Sequence, residues 1–262
     1  MRAVVSKAEI ESEVAARFSS AFQKHERRQG DVLSTGIPEI DSFTLGGLPR
    51  GAMTEIFGPA SSGRTSFMLS ALSHATNHDE VCALVDTSNA FAPQTATAAE
   101  INCDRLLWVR CDHNLEHAFK ATDLLLQGGG FGLVVLDLGD VPANSAKRII
   151  SSWWYRFRRT LEPTPTSLVV ITEESCVRSC AALALELRGE TCLWSSSDEV
   201  TKPKRQSPVT LSAAAPDLRR PVDSPPHTTL FKGFAFQVEC RRPLYFNQRS
   251  GTARPLGRAF TR

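Results

Sequence analysis

Nine consecutive residues, Gly58-Pro59-Ala60-Ser61-Ser62-Gly63-Arg64-Thr65-Ser66, carry the clearest chemistry in the chain. They follow the phosphate-binding loop pattern G-x-x-x-x-G-K-[ST] at every fixed position but one. Gly58, Gly63 and Thr65 match, and Arg64 stands where the pattern has lysine. Such a loop wraps phosphate oxygens with successive backbone N–H groups, and its glycines let the backbone come close. The helix that follows points its positive end at the anion. The expected nucleotide contacts are therefore Gly58, Pro59, Ser61, Ser62, Gly63, Arg64, Thr65 and Ser66, with the Thr65 hydroxyl as a ligand of Mg²⁺. Arginine keeps the charge of lysine but spreads it over a broad planar fork. The expectation is weakened binding, weakened hydrolysis, or both. The plainer alternative is a glycine-rich turn with no ligand.

A second carboxylate for Mg²⁺ is expected at the end of a buried strand. Asp137 closes the apolar run Leu133-Val134-Val135-Leu136 and fits that place. The alternative is an aspartate that caps a loop. Cys111-x-His113-x-x-x-His117 offers three zinc ligands without an evident fourth, so a surface histidine pair is the preferred reading. The seven cysteines include no C-x-x-C pair and are read as reduced, packed thiols. Trp153-Trp154-Tyr155-Arg156-Phe157-Arg158-Arg159 interleaves aromatics with arginine, a composition that stacks bases and neutralises phosphates. Helical spacing favours the other reading, with Trp154, Phe157 and Leu161 in a core and the arginines solvated.

These groups need a scaffold, and the hydrophobic pattern supplies one. Ala52–Phe57 reads as a strand entering the loop, and Thr65 to Ser73 as the helix leaving it. Short apolar strands are expected at 81–86, 106–109, 133–137 and 167–172, with helices at 115–127 and 145–161. Helical spacing resumes at 177–187, and 191–194 is strand-like. Apolar strands alternating with helices predict an α/β fold, a mainly parallel sheet covered by helices on both faces. Residues 1–30 form a separate unit, an amphipathic helix with Ile10, Val14, Phe18 and Phe22 on one face. Residues 31–194 form the core, and 195–228 a Pro- and Ser-rich insertion expected to be disordered. Residues 229–262 return to the sheet and end in an arginine-rich tail. That tail, with Tyr245, Phe246 and Phe260, is a candidate contact for nucleic acid or a protein partner.

At 262 residues the chain allows one large domain or two small ones. A net charge of +2 commits it to neither nucleic acid nor membrane. No apolar run reaches transmembrane length and no signal peptide is visible, so a cytoplasmic protein is expected.

Taken together, Ser34-Thr35-Gly36, Leu45-Gly46-Gly47-Leu48-Pro49-Arg50-Gly51, Glu55-Ile56 and the loop itself resemble the core of the RecA recombinase family. Val85-Asp86, Ala90, Pro93, Leu106-Leu107 and the Asp137 strand extend the resemblance over residues 31–194, with 234–242 as its last element. The variant loop, with Asp104 to Arg110 and Gly129 to Asp137, is most similar to the ImuA type, RecA-like accessory proteins of bacterial damage-induced mutagenesis. The resemblance implies a nucleotide site altered at several positions. The glutamate that polarises the attacking water in such ATPases is Ser88 here, whose hydroxyl is a poor proton acceptor. The adenine-contacting aspartate is Ala92. The glutamine that senses the γ-phosphate is Glu173, whose charge repels phosphate. No catalytic residue is assigned with these replacements in place, and ATP and Mg²⁺ are expected to bind weakly or not at all.

Two long DNA-binding loops of recombinases have no counterpart here, since only Leu138 to Asn144 separates Asp137 from the next helix. The leading reading is an adaptor in SOS-induced, error-prone translesion synthesis. Its implied partners are a Y-family polymerase-like protein, an error-prone replicative-type polymerase and RecA itself, with no membrane. A slow DNA-acting ATPase is the alternative, and an inhibitor of cell division a further one.

Overall fold

The computed structural model describes residues 31–149, 151–194, 231–242, 252–253 and 256–258. The amphipathic helix expected at 1–30, the insertion at 195–228 and most of the arginine-rich tail lie outside them.

The central strands are runs of four or five apolar residues, too short for buried helices, except Ala52–Phe57, where Thr54 and Glu55 interrupt the apolar pattern. These are β3 (Ala52–Phe57), β4 (Cys82–Asp86), β5 (Leu106–Arg110), β6 (Leu133–Asp137) and β7 (Ser167–Thr172). Longer strands follow at β8 (Leu183–Trp194) and β9 (Phe231–Arg242), with short pieces β10 (Thr252–Ala253) and β11 (Leu256–Arg258). A small antiparallel pair, β1 (Val32–Leu33) and β2 (Leu48–Pro49), precedes them. The main sheet runs β10-β9-β8-β3-β7-β6-β4-β5, with β11 also on β9. From β8 to β5 every pairing is parallel, and β9 closes the other side antiparallel.

Helices cover both faces. On one side, α1 (Pro38–Phe43), α2 (Arg64–Asn77) and α3 (Pro93–Ala98) lie over Ile56, Leu84, Val135 and Val169. On the other, α4 (Leu115–Gly128), α5 (Ala143–Lys147) and α6 (Ser151–Leu161) lie over Val85, Val134, Leu136 and Val170. Neighbouring strand residues thus serve opposite cores, which is why the strands read as continuous apolar runs. Phe67, Phe157, Leu72 and Leu136 are fully buried, and each such side chain stabilises the fold by roughly 1.5–3 kcal/mol.

Two expectations about elements need correction. The helix expected at 177–187 is instead a 3₁₀ turn at Arg178–Cys180 followed by β8. Leu183, Leu185 and Leu187 share one core with period two, and pairing with β3 and β9 overrides the helical preference of leucine and alanine. The single helix expected at 145–161 is two helices. The first ends in tight i→i−3 bonds, from Arg148 N–H to Ser145 O (3.1 Å) and from Ile149 N–H to Ala146 O (3.2 Å).

Candidate functional site

The carboxyl ends of the parallel strands, where open α/β sheets bind ligands, gather the sequence-predicted residues. The loop from Gly58 to Gly63 joins β3 to α2. Ser61 and Gly63 hold left-handed backbone, with φ of 60° and 101°. Gly63 is the N-cap residue and has no side chain to satisfy the first turn of α2. The N–H groups of that turn are therefore left without a side-chain cap, as a phosphate cradle requires. The loop's entry is fixed by a hydrogen bond from Gly58 N–H to Glu173 O (3.2 Å), just beyond β7.

Strand β8 forms a wall against this loop. A Cβ on Gly58 would collide with the Leu187 carbonyl oxygen, and one on Gly189 would lie 2.6 Å from Ser61 O. Both glycines are there because two backbones meet. Ser62 Oγ, within the loop, is buried without a hydrogen-bond partner. So are Thr87 Oγ1 and Thr172 Oγ1, just past β4 and at the last residue of β7. Buried hydroxyls are normally paired, so three orphans around one edge of the sheet point to a polar ligand site.

Arg64 reaches from the start of α2 to the turn after β6. Its side chain is buried, 9 % exposed, and Nη1 donates to Gly139 O (3.1 Å) in the turn after β6. Asp137 Oδ1 accepts from the N–H of the same residue (2.8 Å). Arginine and aspartate thus grip the two polar groups of Gly139. Burial pushes the Asp137 carboxyl up to about 6. The Gly139 N–H and Arg64 pull it down, while the charges of Asp86 and Asp140 push it up. Asp86 is its direct neighbour across the β4–β6 pair.

Ser88 and Ala92 sit on the loop after β4. That loop is pinned by Asp86, which accepts from Ala90 N–H (3.2 Å), Phe91 N–H (3.0 Å) and Trp108 Nε1 (3.2 Å). Ser88 is half-buried, and Glu173 and Thr65 are exposed. Pro59 and Ser61 are exposed, and Ser66 is half-buried. The structure thus brings Arg64, Asp137 and the loop together, and sets Ser88, Ala92 and Glu173 at neighbouring strand ends.

Sequence reasoning missed the role of Glu55. This carboxylate lies inside β3, is 1 % exposed, and accepts from Cys176 N–H (2.6 Å), Val177 N–H (2.8 Å) and the Ser175 hydroxyl (2.8 Å). It clamps the turn after β7 into a compact path. The Cys176 thiol, buried beside that carboxylate, is pushed up to about 12 and stays protonated. A glutamate within a buried apolar strand was the available signal.

Other candidates dissolve. Cys111 is buried, His113 and His117 are exposed, and no cluster of three metal-ligating side chains exists among the described residues. Trp154, Phe157 and Leu161 are core residues. Arg156 is bonded to Asp123 through Nε (2.6 Å), and Arg158 Nε to Glu162 (3.3 Å). The aromatic-arginine stretch is therefore a packed helix. No helix among the described residues is long and apolar enough to cross a membrane.

The RecA N-terminal domain family matches residues 3–150, more than half of the 262-residue chain. The chain belongs to the RecA family. The RecA protein of Ectopseudomonas oleovorans is 32% identical over 158 residues, 55% of this chain and 45% of that protein. The RecA protein of Psychrobacter arcticus is 39% identical over 108 residues, 41% of this chain and 30% of that protein. The chain thus spans less than half the length of these curated relatives. The crystal structure of the RadB recombinase shares the fold with a TM-score of 0.57 at 17% identity, over 85% of this chain and 94% of that one.

RecA-family sites generally take ATP with Mg²⁺, and the two groups fit this chain differently. The polyphosphate fits. The orphaned Ser62 hydroxyl, the left-handed backbone at Ser61 and Gly63, and the open first turn of α2 form its cradle. Magnesium fits poorly. Of its expected ligands, Thr65 is exposed, but Asp137 shares its corner at Gly139 with the Arg64 guanidinium. A divalent ion on that carboxylate meets a fixed positive charge.

Proposed function

We propose that this RecA-family chain is an accessory adaptor of the ImuA type in SOS-induced, error-prone translesion DNA synthesis, its nucleotide site retained as a scaffold. The observation that carries this reading is Arg64. The cradle keeps its backbone geometry, while its one cation is bonded to Gly139. Ser88, at the position of the catalytic glutamate, offers a neutral hydroxyl where a general base is needed. The short, Glu55-clamped path after β7 supports the same reading, because it leaves no long loop there to line a DNA strand. The proposed partners are a Y-family polymerase-like protein, an error-prone polymerase and RecA, with DNA contact through the arginine-rich tail.

Two measurements on the purified full chain test this. ATP turnover is expected to stay at background with and without single-stranded DNA. Capture of purified RecA and of the polymerase-like protein is expected to succeed without nucleotide. Brisk DNA-stimulated turnover overturns the reading.

A slow ATPase is the second reading. It is favoured by Asp137 at the β6 terminus and by the exposed Thr65 at the start of α2. Slow turnover that is abolished by D137N decides for it.

A further inference from the structure

The Arg64 guanidinium occupies a position that changes what the cradle can accept. Arg64 leaves the first turn of α2 and reaches across to the turn after β6. Of its five N–H donors, one is used by Gly139 O, and no second acceptor is found among the described residues. A Cβ placed on Gly139 would lie 3.0 Å from Asp137 Oδ1 and 3.5 Å from Arg64 Nη1. Carboxylate and guanidinium therefore border one small volume beside the loop. Magnesium demands near-ideal octahedral geometry at about 2.0–2.1 Å and keeps several waters. A permanently charged fork beside Asp137 gives a divalent ion there an unfavourable field. The same fork matches phosphate oxygens two at a time. Within the loop itself, the buried Ser62 hydroxyl has no hydrogen-bond partner, and an anion would supply one.

We propose that this cradle binds a metal-free polyphosphate, with the Arg64 guanidinium supplying the positive charge that a divalent ion brings elsewhere. The inference rests on the cradle being retained as a binding scaffold, and it adds the form of the ligand. The ligand class is the diphosphate or triphosphate group of a nucleotide, or inorganic pyrophosphate. Asp137 then acts as a positioning residue: it holds the Gly139 turn, whose carbonyl holds Arg64.

The test is calorimetric titration of the full chain with ATP, ADP and pyrophosphate, each in excess EDTA and in excess MgCl₂. The wild-type affinity for at least one probe is expected to agree within about threefold between the two buffers. The three probes separate recognition of the nucleoside from recognition of the phosphates alone. R64K is expected to bind more weakly in EDTA and to regain about tenfold or more when magnesium is added. Wild-type binding that tightens about tenfold or more with magnesium overturns the proposal. So does an R64K protein that matches the wild type in both buffers. Absence of heat with every probe in both buffers also overturns it, yet leaves the adaptor reading standing, because partner capture is measured without nucleotide.

Discussion

The Asp137 carboxyl gives the sharpest quantitative test of how the site is built. Burial raises it from 3.8 to about 6, against the pull of the Gly139 N–H and Arg64. The gap is worth about 3 kcal/mol, at about 1.4 kcal/mol per pH unit. The sign follows from proton linkage. Between these two pH values the folded chain holds the proton more tightly than the unfolded chain, so stability falls as pH rises. The contribution is fully present below pH 3.8 and is lost as pH passes about 6. D137N removes the titration while keeping an oxygen to accept the Gly139 N–H. Any cost of the amide beside Arg64 is constant with pH and cancels in the slope. Urea unfolding of both proteins in EDTA, across mildly acidic to neutral pH, reads the difference. D137N is expected to gain about 2.4 kcal/mol on the wild type between pH 4 and pH 7, with most of the gain complete by about pH 6.5. A difference that stays flat or runs the other way refutes the claim that Asp137 is a buried carboxylate destabilised by its ionisation.

Other residues yield shorter tests. E55A strands two backbone N–H groups and a hydroxyl in the turn after β7, and is expected to cost about 3–5 kcal/mol in chemical denaturation. E55Q, which still offers an oxygen, should cost less than half of that. G58A drives a methyl group into the Leu187 carbonyl and is expected to lower stability by about 2 kcal/mol or more in the same assay. S62A deletes a hydroxyl that has no partner. It should leave stability within about 0.5 kcal/mol of the wild type, or raise it, while weakening pyrophosphate binding in calorimetry.

The parallel sheet was legible because its strands are buried on both faces. Leu133 to Leu136 and Leu168 to Ile171 could not belong to anything half-exposed. The loop was legible because glycine and hydroxyl residues at fixed spacing encode backbone shape directly. Strand β8 was not, since Ala181 to Leu187 satisfies helical spacing as well as alternation, and only β3 and β9 as neighbours decide between them. The clamp at Glu55 was hidden for a related reason: its partners lie 120–122 residues further along the chain. Arg64 was legible as a substitution but not as a contact. The motif says which residue type is missing, whereas the turn at Gly139 determines where the replacement goes.

One strand touches both the entrance and the middle of the phosphate cradle, and with β9 that same strand forms a long antiparallel arm to which β10 and β11 also pair. Leu187 backs onto Gly58 and Gly189 onto Ser61, while both pair with β9 on their other side. Any shift of the loop on binding an anion would bear on this arm, and any shift of the arm on the loop. Thermodynamic reciprocity makes the two events equal in strength. Occupancy of the cradle and contacts on the arm would then report on each other without a bond being broken.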